Sequence, residues 1–279
     1  MIFKNQILNR SNKKPIIWDA FFKETKASKP LVIFCHGYKG FKDWGAWDLV
    51  ASAFSEANLF FVKFNFSHNG GTIENPIDFP DLEAFAENNY TKELEDIDSV
   101  LNYLLSEEFA YKKEIDTTNI TLIGHSRGGG ISIIKASEDA RVTKLITWAS
   151  ICDFGKRTAT SGELDTWKQQ GVKYVLNGRT KQKMPHNYQF YLDFKANEER
   201  LHIESAAKKL SIPYLIIHGV DDPSVKYNEA EALHSFNPKS RLLPIKNADH
   251  VFNVRHPWNS NEVPIALEKV IAKSIAFIR

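Results

Sequence analysis

Short, almost unbroken apolar runs separated by amphipathic stretches leave this chain little choice of fold. The runs cover residues 31–35, 59–66, 120–123, 144–150 and 213–218. A strand with one face in water alternates apolar with polar side chains. Unbroken runs are expected where both faces are covered, as in a parallel sheet. Between the runs, Leu94, Ile97, Leu101, Leu104 and Leu105 draw one stripe along a helix. Thr91 is its expected N-cap, with Glu93 and Glu95 complementing the helix dipole. Strand and helix in alternation predict an α/β fold with a mostly parallel central sheet flanked by helices. Residues 16–22 are expected to add a strand ahead of the alternating units.

Two segments break this rhythm. Residues 67–90 are long for a connection. Residues 154–209 carry mixed polar and aromatic content, including Trp167, Tyr174, Tyr188, Phe190 and Tyr191. The second segment is too long for a loop and too short for an independent domain, so a small inserted cap is expected. Residues 1–279 then form a single domain with a cap insertion at about 154–209.

The chemistry concentrates at Gly124-His125-Ser126-Arg127-Gly128. This Gly-x-Ser-x-Gly pattern follows the run 120–123 and precedes an amphipathic stretch, the strand–turn–helix setting of a nucleophile elbow. The sharp turn needs glycines on either side of the serine to relieve backbone crowding. It leaves Ser126 at a helix N-terminus, where free N–H groups and the helix dipole favour an oxyanion.

A serine hydroxyl needs a base to take its proton. His250, in Ala248-Asp249-His250, follows the apolar run 242–245 and stands late in the chain. His256 is the nearest competitor, but its His-Pro pair reads better as a helix entrance. His36 and His218 each precede a glycine at a strand end and are expected to shape turns. An acid must hold the imidazole tautomer. In His218-Gly219-Val220-Asp221-Asp222, the spacing selects Asp222, with Asp221 and Asp153 as alternatives. The oxyanion hole is expected from the backbone N–H groups of Arg127 and of Tyr38, in His36-Gly37-Tyr38-Lys39-Gly40.

His36-Gly37, the elbow, Asp222 and His250 stand in the chain order of the α/β-hydrolases. The chain resembles their bacterial dienelactone-hydrolase-like and small serine esterase branch from about residue 30 onward. A serine at 126 departs from dienelactone hydrolases proper, which use cysteine. The resemblance implies a serine hydrolase with the triad Ser126, Asp222 and His250, acting on a small to medium carboxylic ester through an acyl-enzyme. Serine aminopeptidase-type or thioesterase activity, acyl transfer to an acceptor other than water, and a catalytically silent binding protein stay open. In the cap, Trp167, Tyr188 and Tyr191 either line an acyl pocket or pack the cap onto the domain. An aminopeptidase needs a carboxylate for the substrate ammonium, and Glu74, Asp78, Asp81, Glu83 and Glu87 of the long loop are the available acids. The resemblance also separates the strands ending near Cys35 and Cys152 by the nucleophile strand. Two strand spacings make roughly 10 Å, beyond disulfide reach, so both thiols are expected free and buried.

Composition narrows the partners. The chain has 36 basic and 34 acidic side chains, so no overall field attracts nucleic acid. The locally basic stretch 4–29 is read as a solvated face. No zinc, EF-hand, P-loop or dinucleotide motif is present, so the expectation is a small-molecule substrate with no cofactor and no metal. Lacking a leader-like apolar start or a bilayer-length apolar run, the chain is expected to be cytoplasmic and to have no membrane partner.

Overall fold

The apolar runs become neighbouring strands of one sheet. The computed structural model describes residues 1–25, 27–158 and 163–279. Among them the strands are β1 (Ile2–Arg10), β2 (Lys13–Phe21), β3 (Lys29–Cys35), β4 (Phe60–Phe64), β5 (Ile115–His125), β6 (Lys144–Trp148), β7 (Val172–Leu176), β8 (Lys183–Asn187), β9 (Tyr214–Gly219) and β10 (Arg241–Ile245). The main sheet has the order β1-β2-β4-β3-β5-β6-β9-β10, and β7 and β8 form a separate antiparallel hairpin. From β4 to β10 all pairings are parallel, while β1 and β2 join antiparallel at one edge.

The helices are α1 (Trp47–Glu56), α2 (Leu82–Ala86), α3 (Tyr90–Leu104), α4 (Arg127–Glu138), α5 (Gly155–Thr158), α6 (Leu164–Gln170), α7 (Gln189–Ala196), α8 (Ile203–Lys209), α9 (Tyr227–Phe236) and α10 (Ile265–Ile278). Among the described residues no helix is long and apolar enough to cross a membrane.

Strand β3 shows why the runs are unbroken. Leu31, Ile33 and Cys35 pack into the core on the face carrying α3 and α4, whereas Val32 and Phe34 pack with α1 and α10 on the other. All five are at most 1% exposed. Full burial of an aliphatic or aromatic side chain contributes about 1.5–3 kcal/mol, so covering both faces selects apolar residues at every position. The free thiols of Cys35 and Cys152 are both buried, as expected.

Several local expectations are corrected. Helix α3 is capped by Asn89, whose side chain accepts from the Lys92 N–H; Thr91 already lies inside the helix. Asn89 has the extended backbone a cap requires. No helix starts at His256, and α10 begins at Ile265; the His256 Nδ1 instead accepts from the Gly45 N–H at 2.9 Å. The stretch 4–29, which includes residue 26 outside the described residues, is not a uniformly solvated face. Lys29 is fully buried and ion-paired with Glu114. Lys4 joins Lys42 and Lys63 in a network with Asp19, Asp43 and Asp48. Lysine amines thus neutralise these three clustered carboxylates.

That network fixes the loop after β3. The Lys63 Nζ donates to the Lys42 carbonyl at 2.9 Å, and the Lys42 N–H donates to Asn65 Oδ1 at 2.7 Å. His36 completes the anchor: its Nδ1 donates to the Gly37 carbonyl, and its Nε2 accepts from the Phe66 N–H.

Candidate active site

Ser126 sits between the end of β5 and the start of α4 with φ 57° and ψ −120°. A serine in this sparsely populated region is strained, and the surrounding structure must hold it there. The backbone does so through Ser126 N–H to the Trp148 carbonyl at 2.9 Å and Gly129 N–H to the Ser126 carbonyl at 3.0 Å. The flanking glycines are required by close approach. A Cβ at Gly124 would stand 2.3 Å from the Gly128 carbonyl oxygen, and one at Gly128 would stand 2.4 Å from the carbonyl oxygens of Cys35 and His36. Backbone, unlike a flexible side chain, has little room to yield. Gly128→Ala is therefore expected to cost at least about 1–3 kcal/mol, the usual range for overpacking, and to displace the elbow; a denaturant midpoint within error of wild type would contradict this.

The loop after β3 meets Ser126 directly. A Cβ on Gly37 would lie 2.8 Å from Ser126 Cβ and 3.3 Å from its Oγ. Among the described residues the next N–H along, that of Tyr38, donates to no protein acceptor. Arg127 opens α4, so its N–H has no carbonyl within the helix to bond. Both residues expected from the sequence as donors line one cavity with Ser126.

His250 lies in the loop after β10, and its Nδ1 donates to Asp222 Oδ2 at 2.7 Å. Asp222, in the loop after β9, is 3% exposed and accepts at Oδ1 from the N–H groups of Ser224 and Val225, at 2.8 and 2.9 Å. Burial alone would raise its carboxyl. Hydrogen bonds from His218 and His250, the field of His250 and the Val225 N–H outweigh burial and hold it well below the usual carboxylate range. Asp221 is exposed, and Asp153 is turned toward Lys156, its Oδ1 accepting from that residue's N–H. The structure thus brings Asp222, and neither alternative, to His250. Among the described residues Ser126 Oγ makes no hydrogen bond, although Ser126 and His250 line the same cavity. Catalytic hydrogen bonds are often long without substrate and tighten in the complex.

Two supporting roles were not legible in the sequence. His125 Nε2 donates to the His250 carbonyl at 2.9 Å, bracing the loop that carries the base. Burial, then the charge of His250, lowers His125 to about 3, which keeps it neutral. His218 Nε2 donates to the Val225 carbonyl at 2.8 Å and lies 3.3 Å from Asp222 Oδ2, so it holds the acid as well as the turn.

The cavity beside Ser126 has a volume of about 1000 Å³. Trp167 lines it, while Tyr188 and Tyr191 do not; the Tyr188 ring meets Trp167 edge-on at 5.7 Å, and the Tyr191 ring is tilted against both. None of the acids at 74, 78, 81, 83 and 87 lines it either. Asp78 pairs with Arg179, Asp81 caps α2 and pairs with Lys14, and Glu87 accepts from Asn187. The lining carries Lys39, Arg127, Arg157, Lys173 and Arg179, with Glu163 as its one carboxylate among the described residues. Of the expected cap, residues 159–162 lie outside the described residues.

Several known proteins resemble this chain. The BD-FAE family model matches residues 20–236. Est1E from Butyrivibrio proteoclasticus, in a structure with ferulic acid bound, superposes with a TM-score of 0.72 at 18% identity, covering 98% of this chain and 97% of that one. Dienelactone hydrolase from Anabaena variabilis gives a TM-score of 0.64 at 14% identity, covering 99% and 96%. Mouse alpha/beta hydrolase domain-containing protein 10 gives 0.66 at 18% identity, covering 98% and 97%. A search of curated proteins finds no match. At these identities the superpositions establish the α/β-hydrolase fold.

Proposed function

The chain belongs to the BD-FAE family, and on that premise we propose that it is a serine hydrolase cleaving a small to medium carboxylic ester. The observation that carries the reading is the 2.7 Å contact from His250 Nδ1 to Asp222. With Nδ1 engaged, Nε2 is the nitrogen left to take a proton, and Ser126 lies on the cavity that His250 also lines.

Ser126 attacks the ester carbonyl while His250 accepts its proton, and Asp222 stabilises the resulting imidazolium. The tetrahedral oxyanion rests on the N–H groups of Tyr38 and Arg127. His250 returns the proton to the departing alkoxide, leaving an acyl-Ser126. Water then attacks with the same base and releases the acid. The interruption at 154–209 serves as a cap on this site: Trp167 of α6, Lys173 of β7, His186 of β8 and Phe190 of α7 all line the cavity.

An ester expels its alkoxide or phenoxide more readily than an amide expels its amine, which must first be protonated in place. The cationic lining also disfavours the free ammonium of an aminopeptidase substrate. The expected result is that an aryl ester is turned over at least about 100-fold faster in kcat/KM than any aminoacyl anilide under identical conditions. Anilide turnover equal to the best ester, and lost when the amine is acetylated, would overturn the choice.

A further inference from the structure

The positive charge on the cavity wall is not spread evenly. Arg157 is paired with Glu229, Arg179 with Asp78, and Arg127 with the buried Glu93 at 3.4 Å. Lys39 and Lys173 differ: neither makes an ion pair with a carboxylate among the described residues. Lys39 Nζ stands over the Tyr38 ring at 5.0 Å. Lys173 Nζ stands over the Trp167 ring at 3.9 Å and donates to the Thr158 carbonyl at 3.2 Å.

His186 joins the two aromatic platforms. Its Nε2 shares a 2.7 Å hydrogen bond with the Tyr38 hydroxyl, and its carbonyl accepts from Trp167 Nε1 at 2.7 Å. In the hairpin register it stands opposite Lys173. Arg127 lies on the same cluster, its guanidinium 4.3 Å from the Tyr38 ring. Three cations from three parts of the chain therefore converge on one buried histidine that lines the cavity. Burial, then the charges of Arg127, Lys173 and Lys39, pushes His186 down to about 3, so it adds no charge of its own. Burial and Arg127 also lower Lys39. Burial lowers Lys173, and the field of Glu163 opposes that. Cations this crowded and partly desolvated are stabilised by a negative partner; among the described side chains the field of Glu163 reaches Lys173, and no carboxylate closes an ion pair with either lysine.

We propose that Lys39 and Lys173 form an anion subsite, and that the ester cleaved at Ser126 carries a second, ionised acid group. This rests on the hydrolase reading above and specifies its substrate class. Tyr38 and Trp167 give the subsite rigid walls, and the ammonium groups above their rings supply the charge. Such a site raises the local concentration of anionic substrate and fixes which end of it faces the serine.

Two matched substrate pairs locate the acid group. For the acyl side the pair is 4-nitrophenyl butyrate and 4-nitrophenyl hydrogen glutarate; for the alcohol side it is phenyl butyrate and 3-carboxyphenyl butyrate. In at least one pair the carboxylate-bearing ester is expected to lead by tenfold or more in kcat/KM at low ionic strength. That ratio should fall to near one in the Lys39→Gln/Lys173→Gln double variant and return in Lys39→Arg/Lys173→Arg, which separates charge from packing. Parity in both pairs for the wild type, or a ratio that survives the double glutamine variant, would refute the subsite while leaving the hydrolase reading intact. Absence of turnover on all four esters would instead sink the hydrolase reading. Calorimetric binding of 3-nitrobenzoate, at least tenfold weaker in the glutamine variant, tests the subsite without turnover, and undiminished binding there would refute it.

Discussion

Ser126→Ala is expected to lower kcat on an aryl ester by about 10⁶-fold, the scale seen when a triad serine is removed elsewhere, and to abolish labelling by a fluorophosphonate probe. The fold should survive. Ser126 Oγ makes no hydrogen bond among the described residues, and alanine keeps the Cβ that packs beside Gly37. A loss of activity with an unchanged unfolding midpoint therefore reports the nucleophile rather than the scaffold. Comparable turnover or labelling in the alanine variant would show that another group attacks.

Asp222→Asn should cost about 10⁴-fold in kcat, the loss known for this change in another triad enzyme, whereas Asp221→Asn and Asp153→Asn should each change kcat by less than about threefold. The reason is local. Asp222 Oδ1 accepts two backbone N–H groups, while Oδ2 faces His250 Nδ1 and His218 Nε2. With the amide oxygen kept on the backbone donors, the new NH₂ points at His250 and forces its proton onto Nε2, where none can be taken from Ser126. It also confronts the His218 N–H, donor against donor. Flipping the amide only moves the conflict to Ser224 and Val225. Stability has a matching pH signature. The native carboxyl is held below its unfolded value, so its stabilisation is full above the unfolded carboxyl range and is lost as pH falls through the native value. Wild type should exceed the asparagine variant in unfolding free energy near neutrality, with the gap narrowing in acid. Equal kcat losses for Asp222 and Asp153 would move the acid to the end of β6.

Much of this was readable because it is locally encoded. Unbroken apolar runs mark strands covered on both faces, and the elbow writes its own steric demand as Gly124 and Gly128, where an added Cβ would stand 2.3 and 2.4 Å from backbone oxygens. The His-Gly-x-x-Asp spacing pointed to Asp222 because a short loop after a parallel strand determines which of its residues turns back over the sheet edge. Other features are weakly written. Strand β1 exposes much of Ile2–Arg10 and shows little apolar alternation, since it lies at a sheet edge. Asn89 and Thr91 are both capable caps, and the extended backbone at Asn89 decided between them.

By itself the sequence determined the sheet, the strained serine, and which residues carry the type of chemistry a hydrolase needs, because periodicity and tight turns act over a few residues. Only the tertiary structure decided how distant side chains meet. It set Asp222 against His250, put His125 under the base, and left Tyr188 and Tyr191 off the cavity lining while putting Trp167 on it. It also gathered Lys39, Arg127 and Lys173 around His186. Those charges nearly cancel in the composition, 36 against 34. Their concentration on one wall arises from where the chain folds back, since a Coulomb field depends on separation in space and not along the sequence.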